Sequence, residues 1–255
     1  MGSSLSTQDL REFLDEKYDL YNRNSFIETD PISIPHQFSK KEDIEIAGFL
    51  AASLAWGQRK TIIQKSNLLI DLMDRTPYDF VLHAEDRDLL QFEKFVHRTF
   101  QGEDAVTFVR ALQHIYQNHG GLESVFSARQ GAYEAINHFR EVFLGPPHPK
   151  RSEKHLSSPA KGSSSKRLNM YLRWMVRNDK RGVDFGIWPS FDTAELMLPL
   201  DVHTGNVGRK LGLLQRKAND WKAVAEITDN LRKLDAKDPV KYDFALFGLG
   251  AFEGF

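Results

Sequence analysis

Cysteine is absent from the 255-residue chain. That excludes disulfides, thiolate zinc sites and cysteine-ligated iron–sulfur clusters, and it fits a reducing compartment. A dominant charge is missing too. The 34 lysines and arginines stand against 35 aspartates and glutamates, for a net charge of −1. A protein that coats nucleic acid nonspecifically is usually far more basic. There is no long hydrophobic run. The longest, Ile44 to Trp56, contains Glu45 and is too short to span a bilayer. The N-terminus is charged from Asp9 onward and has no signal-peptide core. The chain reads as soluble and intracellular, with no membrane partner.

What is present is apolar bulk at helical spacing. Apolar residues make up 41 % of the chain, including 18 phenylalanines, enough for a real core. Ser6 to Asp9 reads as a helix start, with Leu10, Phe13, Leu14, Tyr18 and Tyr21 on one face. Asp30 to Pro35 reads as a loop. Ile44 to Trp56 is apolar on nearly all sides and predicts a buried central helix, interrupted by Gly57. Thr61 to Met73, Asp104 to Tyr116 and the stretch from Gly121 to Phe143 are helical in period. Gly145 to about Ser165 is loop-like. Helix resumes over Ser165–Arg177, with Leu168, Tyr171, Leu172 and Met175 inward and Arg167, Arg173 and Arg177 outside. Val183 to Pro199 is a long connection. Asp201 opens a helix through Leu211, Asn219–Leu234 is amphipathic, and Asp238-Pro239 is a cap-plus-first-turn signal for a final helix. No convincing strand alternation and no repeat is present. The expected class is all-α, with a short strand or two in loops at most.

The even charge hides a local asymmetry. Lys150 to Arg181 holds ten basic residues opposed only by Glu153 and Asp179, a local charge of +8 in 32 residues. This is a phosphate-binding footprint or a solvated face. Within it, Gly162-Ser163-Ser164-Ser165-Lys166 reads as a tight loop whose N–H groups open onto a phosphate and whose lysine starts a helix. Lysine is the residue used for imine intermediates; the same position also suits a surface lysine. Asp201 follows Pro199 at the next helix start. It suits an N-cap, and a carboxylate there can stabilise a cationic sugar transition state or take a proton from the lysine. His203 suits packing, a phosphate contact or acid–base work. It has no second histidine at a ligand spacing such as i+4, so no protein-bound catalytic metal is expected.

The order loop–Lys166–helix, then Pro199-Leu200-Asp201-Val202-His203, resembles the helix-hairpin-helix DNA glycosylase superfamily. There, a lysine just after the hairpin attacks the sugar anomeric carbon, and an aspartate in a Pro-x-Asp-x context stabilises the transition state. The stretch Ile46-Ala47-Gly48-Phe49-Leu50-Ala51-Ala52-Ser53-Leu54-Ala55-Trp56-Gly57-Gln58-Arg59 looks like the superfamily's early helix and its glutamine-bearing loop facing the lesion. Lys241-Tyr242-Asp243-Phe244-Ala245-Leu246-Phe247-Gly248-Leu249-Gly250 looks like its closing helix. That stretch and the long Lys-to-Asp separation are most similar to the archaeal-type 8-oxoguanine glycosylases. The chain also looks like a bacterial family of uncharacterised proteins related to them, with Phe95-Val96-His97-Arg98-Thr99-Phe100 as a further signature. Two positions differ: Ser164 stands where a hairpin glycine is usual, and Ser163 stands at the hydrophobic position before it.

The resemblance implies one all-α, two-lobed domain of the helix-hairpin-helix glycosylase type over residues 1–255, with a core over about 44–250 and the active site between the lobes. It implies a base-excision glycosylase and abasic-site lyase acting on an oxidised purine such as 8-oxoguanine in double-stranded DNA. Such an enzyme needs no cofactor and would work in the bacterial cytoplasm at the nucleoid, with a monomer favoured. Lys166 is then the nucleophile, with Lys161 as a rival, and Asp201 assists. Trp56, Trp188, Phe191 and Phe247 are candidates to stack on a flipped base; Gln58, His203 and Asp243 complete the pocket. Lys161, Gly162, Ser163, Ser164, Ser165, Arg167, Arg173 and Arg177 would contact DNA. Two alternatives stay open: a non-catalytic nucleic-acid binder of the same fold, and an interaction domain whose basic loop meets an acidic protein.

Overall fold

The computed structural model describes residues 6–255, so the first five residues of the expected 1–255 domain lie outside the described residues. Helices dominate: α1 (Thr7–Tyr21), α2 (Asn24–Ile27), α3 (Lys41–Leu54), α4 (Arg59–Asp71), α5 (Pro77–His83), α6 (Asp86–Leu89), α7 (Gly102–Asn118), α8 (Leu122–Ser127), α9 (Ala132–Phe143), α10 (Lys166–Val176), α11 (Val202–Lys210), α12 (Trp221–Arg232) and α13 (Tyr242–Ala251). A two-stranded antiparallel hairpin, β1 (Val96–His97) and β2 (Phe100–Gln101), pairs Val96 with Gln101 and His97 with Phe100. The fold is all-α. No helix among the described residues is long and apolar enough to cross a membrane.

The chain forms two compact units. One is Ile27–Ser157; the other joins the described part of Met1–Phe26 to Ser158–Phe255. The second unit is closed by its ends, because α1 lies along α13. Ser6 starts α1 as a capping box with Asp9: the Asp9 N–H donates to Ser6 Oγ at 3.1 Å, and the Ser6 N–H donates to Asp9 Oδ2 at 3.3 Å. Leu14 and Tyr18 are buried on the facing stripe. Lys17 Nζ meets Glu253 at 2.9 Å, and the Tyr21 hydroxyl donates to the same carboxylate.

The Ile27–Ser157 unit is built on α3. Every residue from Ile44 to Leu54 is buried, as an apolar run with no polar face requires. Gly57 (φ +107°) turns the chain into α4, a conformation that favours glycine. Phe49 packs into a cluster of rings, with centroids 5.3–5.6 Å from Phe108, Phe139 and Phe143. The helical stretch expected from Gly121 to Phe143 is two helices, α8 and α9, broken at Gly131 (φ +77°). α5 and α6 have no counterpart in the sequence reading; at seven and four residues they are too short to show a period.

The Asp238-Pro239 signal is corrected. Pro239 opens a 3-10 turn, and Asp238 makes no side-chain cap; its carboxylate instead accepts from Arg177 Nε at 3.0 and 2.9 Å. A buried guanidinium outcompetes a helix N–H for that carboxylate.

Replacing Phe49 by Ala removes the ring that three others pack on. The expected loss is about 3–5 kcal/mol, read as a lower urea midpoint; a loss under about 1 kcal/mol would contradict this packing.

Candidate active site

Lys166 is placed by the turn before it. The Gly162 N–H donates to the Pro159 carbonyl at 2.8 Å, and its own carbonyl accepts from the Trp221 N–H at 3.1 Å. Gly162 is left-handed (φ +83°), and a Cβ there would meet nothing within 4 Å, so glycine serves conformation and not space. Ser163 forms an isolated bridge with Asp220, and its Oγ accepts from the Ser165 N–H at 3.1 Å. Ser165 is buried and also left-handed (φ 47°). Lys166 is the first residue of α10, with its side chain 30 % exposed.

Asp201 caps α11, accepting from the Thr204 N–H at 2.9 Å. Its carbonyl accepts from Asn219 Nδ2 at 3.1 Å, and Arg209 Nη2 donates to Asn219 Oδ1 at 2.5 Å. Gly205, one turn into α11, leaves the space that Asn219 fills; a Cβ there would lie 2.8 Å from Asn219 Oδ1. The cap has a second oxygen to spare. Asp201 Oδ2 lies 3.6 Å from Lys166 Nζ, and the carboxylate is 21 % exposed. An amine and a carboxylate thus meet where a ligand can reach both.

Asp243, in the first turn of α13, bears on the same pair. Burial pushes its carboxyl up to about 6, and the neighbouring Asp201 carboxylate adds to the rise. The charges of Arg173 and Lys166, with a hydrogen bond from Arg173, oppose it but do not win. Arg173 Nη1 donates to Asp243 Oδ2, and Arg173 Nε donates to Asp184 Oδ1 at 3.2 Å. A carboxyl near 6 exchanges protons close to neutral pH. Asp243 is an expected pocket residue, and its raised proton affinity is a consequence of burial.

The other expected site residues divide. His203 is exposed and Phe247 half-buried, ring to ring at 6.5 Å. Gly162 and Lys161 are exposed, and Ser163, Ser164 and Arg167 half-buried. Burial pulls the Arg167 guanidinium down to about 10, which leaves it charged at neutral pH. Trp56 is half-buried and Gln58 exposed, but both belong to the Ile27–Ser157 unit, where Trp56 packs edge-on to His97 at 4.9 Å and stacks over His155 at 6.0 Å.

Four assignments are corrected. Arg173 and Arg177 do not face outward: they are 4 % and 1 % exposed, because α10 is buried on every side from Leu168 to Val176 and carboxylates inside the unit neutralise them. Trp188 (1 % exposed) and Phe191 are core residues. The connection after α10 folds back so that the Trp188 N–H donates to the Met175 carbonyl at 3.0 Å, and the indole packs edge-on to Tyr171 at 5.4 Å. Nor is the +8 stretch a free cationic surface. Arg151 pairs with Glu103 and Asp104, and Arg181 with Asp19. Among the described residues, no group of three or more His, Asp or Glu side chains could hold a metal ion.

Two outcomes follow from this geometry. Asp201→Asn keeps an acceptor for the Thr204 N–H and should cost little stability, whereas Asp201→Ala loses the cap and about 1 kcal/mol; equal urea midpoints for the two would contradict the capping role. Asp243 binds its proton more tightly folded than unfolded. Its contribution to stability is therefore full in acid and declines as pH rises from about 4, the unfolded value, to about 6. Wild type should lose ground to Asp243→Asn across that window in urea melts at pH 4 and 7, and an unchanged gap would contradict the raised value.

No curated protein and no solved structure matches the chain. Residues 30–252, most of the chain, match one family, and by that match the protein belongs to the family described as Protein of unknown function (DUF2400).

Proposed function

We propose that this protein is a DNA base-excision glycosylase and abasic-site lyase, acting on an oxidised purine such as 8-oxoguanine. One observation carries the reading: an amine, Lys166 Nζ, and a carboxylate, Asp201 Oδ2, sit 3.6 Å apart at two adjoining helix starts, both partly open to solvent. The resemblance in motif order supplies the substrate class. Asp243, raised to about 6 beside the same pair, adds a proton acceptor that is ionised at neutral pH.

The chemistry runs as follows. Lys166, held as an ammonium by its pairing with Asp201, first gives a proton to the Asp243 carboxylate, and the lone pair this frees attacks C1′ of the damaged nucleotide. The bond from C1′ to the base breaks, and its electrons leave with the base, which takes up a proton. Asp201 stabilises the cationic sugar as that bond lengthens, and the second proton shed by the lysine nitrogen passes to the leaving base. The C1′–O4′ bond then breaks with its electrons going to O4′, which is protonated, leaving an imine between Lys166 and C1′. Loss of a proton from C2′ expels the 3′ phosphate with the C3′–O electrons and nicks the strand. Water hydrolyses the imine and returns the lysine.

Lys161 is exposed on the preceding turn and has no carboxylate partner among the ion pairs described, which favours Lys166 as the nucleophile. Borohydride should trap the wild-type protein on duplexes carrying 8-oxoguanine or an abasic site. Lys166→Gln should abolish the adduct, Asp201→Asn should slow it about 10²- to 10⁴-fold, and Lys161→Gln should leave it. Salt-sensitive DNA binding without any adduct would make the protein a binder and sink the catalytic reading.

A further inference from the structure

Arg173 in α10 and Arg177 at its C-cap, one turn on, both point inward, and a line of carboxylates joins them to the site. Asp184 accepts from Arg173 Nε at 3.2 Å through one oxygen and from Arg177 Nη1 at 3.0 Å through the other. Arg177 also donates to Asp238, to Asp179 at 2.8 Å and to the Tyr18 hydroxyl at 2.7 Å. At the other end Arg173 donates to Asp243, and its guanidinium lies 4.3 Å over the ring of Phe244, the next residue. Four carboxyl groups thus share two guanidiniums, and Asp243 is the member of this line on which the charges of Lys166 and Asp201 act.

We propose that Arg173 is a positioning residue of the Lys166–Asp201 site: braced by Asp184 and by the Phe244 ring, it holds the Asp243 carboxylate beside that pair in its ionised form. The proposal deepens the function proposed above and takes the site's chemistry from it. Electrostatics supports the geometry. Burial is the largest influence on Asp243 and favours its neutral form; the charge of Arg173 is the largest influence against it. The other charges bearing on Asp243 are Lys166 from α10 and Asp201 from the cap of α11. From α1, Tyr18 faces Arg177 and its ring lies 6.3 Å from Phe244; from the turn before α13, Asp238 is tied to Arg177 and Lys241 to Asp15 and Asp235.

Arg173 divides its charge between two carboxylates, so the two ends respond with opposite sign. Neutralising Asp184 releases Arg173 toward Asp243 and favours the Asp243 anion. Removing Arg173 with Asp184 leaves Asp243 buried without its counter-ion and favours the acid. A residue that only fills space predicts neither sign.

The test is a carboxyl ¹³C titration of Asp243 in the full chain, with the resonance identified by its loss in Asp243→Asn. The inflection should lie near 6 in the wild type. It should fall in Asp184→Asn, stay close to the wild-type value in Arg173→Lys, and rise by about one pH unit or more in Arg173→Met/Asp184→Asn. An inflection that does not fall in Asp184→Asn overturns the proposal, and this variant decides even if the double variant fails to fold. So does an inflection that fails to rise in a folded double variant. The acid limb of kcat/KM on abasic DNA should move with each inflection. Absence of turnover on any DNA would sink the glycosylase reading alone, because the titration needs no substrate.

Discussion

Two guanidinium groups stand where water cannot reach them, and the unit formed by the chain's two ends is arranged around that fact. Arg173 and Arg177 are 4 % and 1 % exposed. A buried cation without a partner costs several kcal/mol, so each must meet carboxylates with good geometry. Those carboxylates come from the loop after α10 (Asp179, Asp184), the turn before α13 (Asp238) and α13 itself (Asp243). α1 adds the Tyr18 hydroxyl, which donates to Asp179 at 2.7 Å while accepting from Arg177. Segments far apart in the chain are thereby pinned to one helix. Removing either arginine alone would leave buried carboxylates without their closest counter-ion, at about 3–5 kcal/mol.

The network holds its members in different states. Burial would raise the Asp179 carboxyl, but Arg177, the Arg181 N–H, Tyr18 and Asn22 together hold it down to about 2. Asp238 stays raised, because its burial outweighs Arg177. Arg177 is raised in turn, the attraction of Asp184 and Asp238 outweighing its own desolvation. Asp243, with one guanidinium contact and the Asp201 carboxylate as a neighbour, ends near 6. The member of the network that feels the charges of Lys166 and Asp201 is therefore able to change its proton near neutral pH. An interaction that stabilises the unit also sets the proton affinity of a group at the candidate site.

The Lys166–Asp201 contact has a different origin. Each residue stands at a helix start held by its own local bonds: a left-handed glycine turn for α10, and an aspartate cap for α11 whose backbone is held by Asn219 and Arg209. A cap uses one carboxylate oxygen and leaves the other free to face a neighbour. That division lets one aspartate both start a helix and face an amine at 3.6 Å.

Much of the helical class is legible in the residues themselves. The Ser6–Asp9 box, the apolar run of α3, the Gly57 break and the Asp201 cap are local features, and local hydrogen bonding and spacing determine them. The lysine at the start of α10 and the aspartate at the start of α11 can be named on the same grounds. Their meeting cannot, nor can the fate of the basic stretch around them. Arg173 and Arg177 look solvent-facing because Leu168, Tyr171, Leu172 and Met175 already fill one stripe of the helix. They are buried because their counter-ions, up to 70 positions away, arrive on the remaining stripe. Trp188 likewise looks available for stacking until the loop that carries it folds back on α10. Spacing decides whether a segment is a helix, because that depends on neighbours a few residues away. Which of its faces is wet, and which carboxyl keeps a proton, depends on what the rest of the chain lays against it.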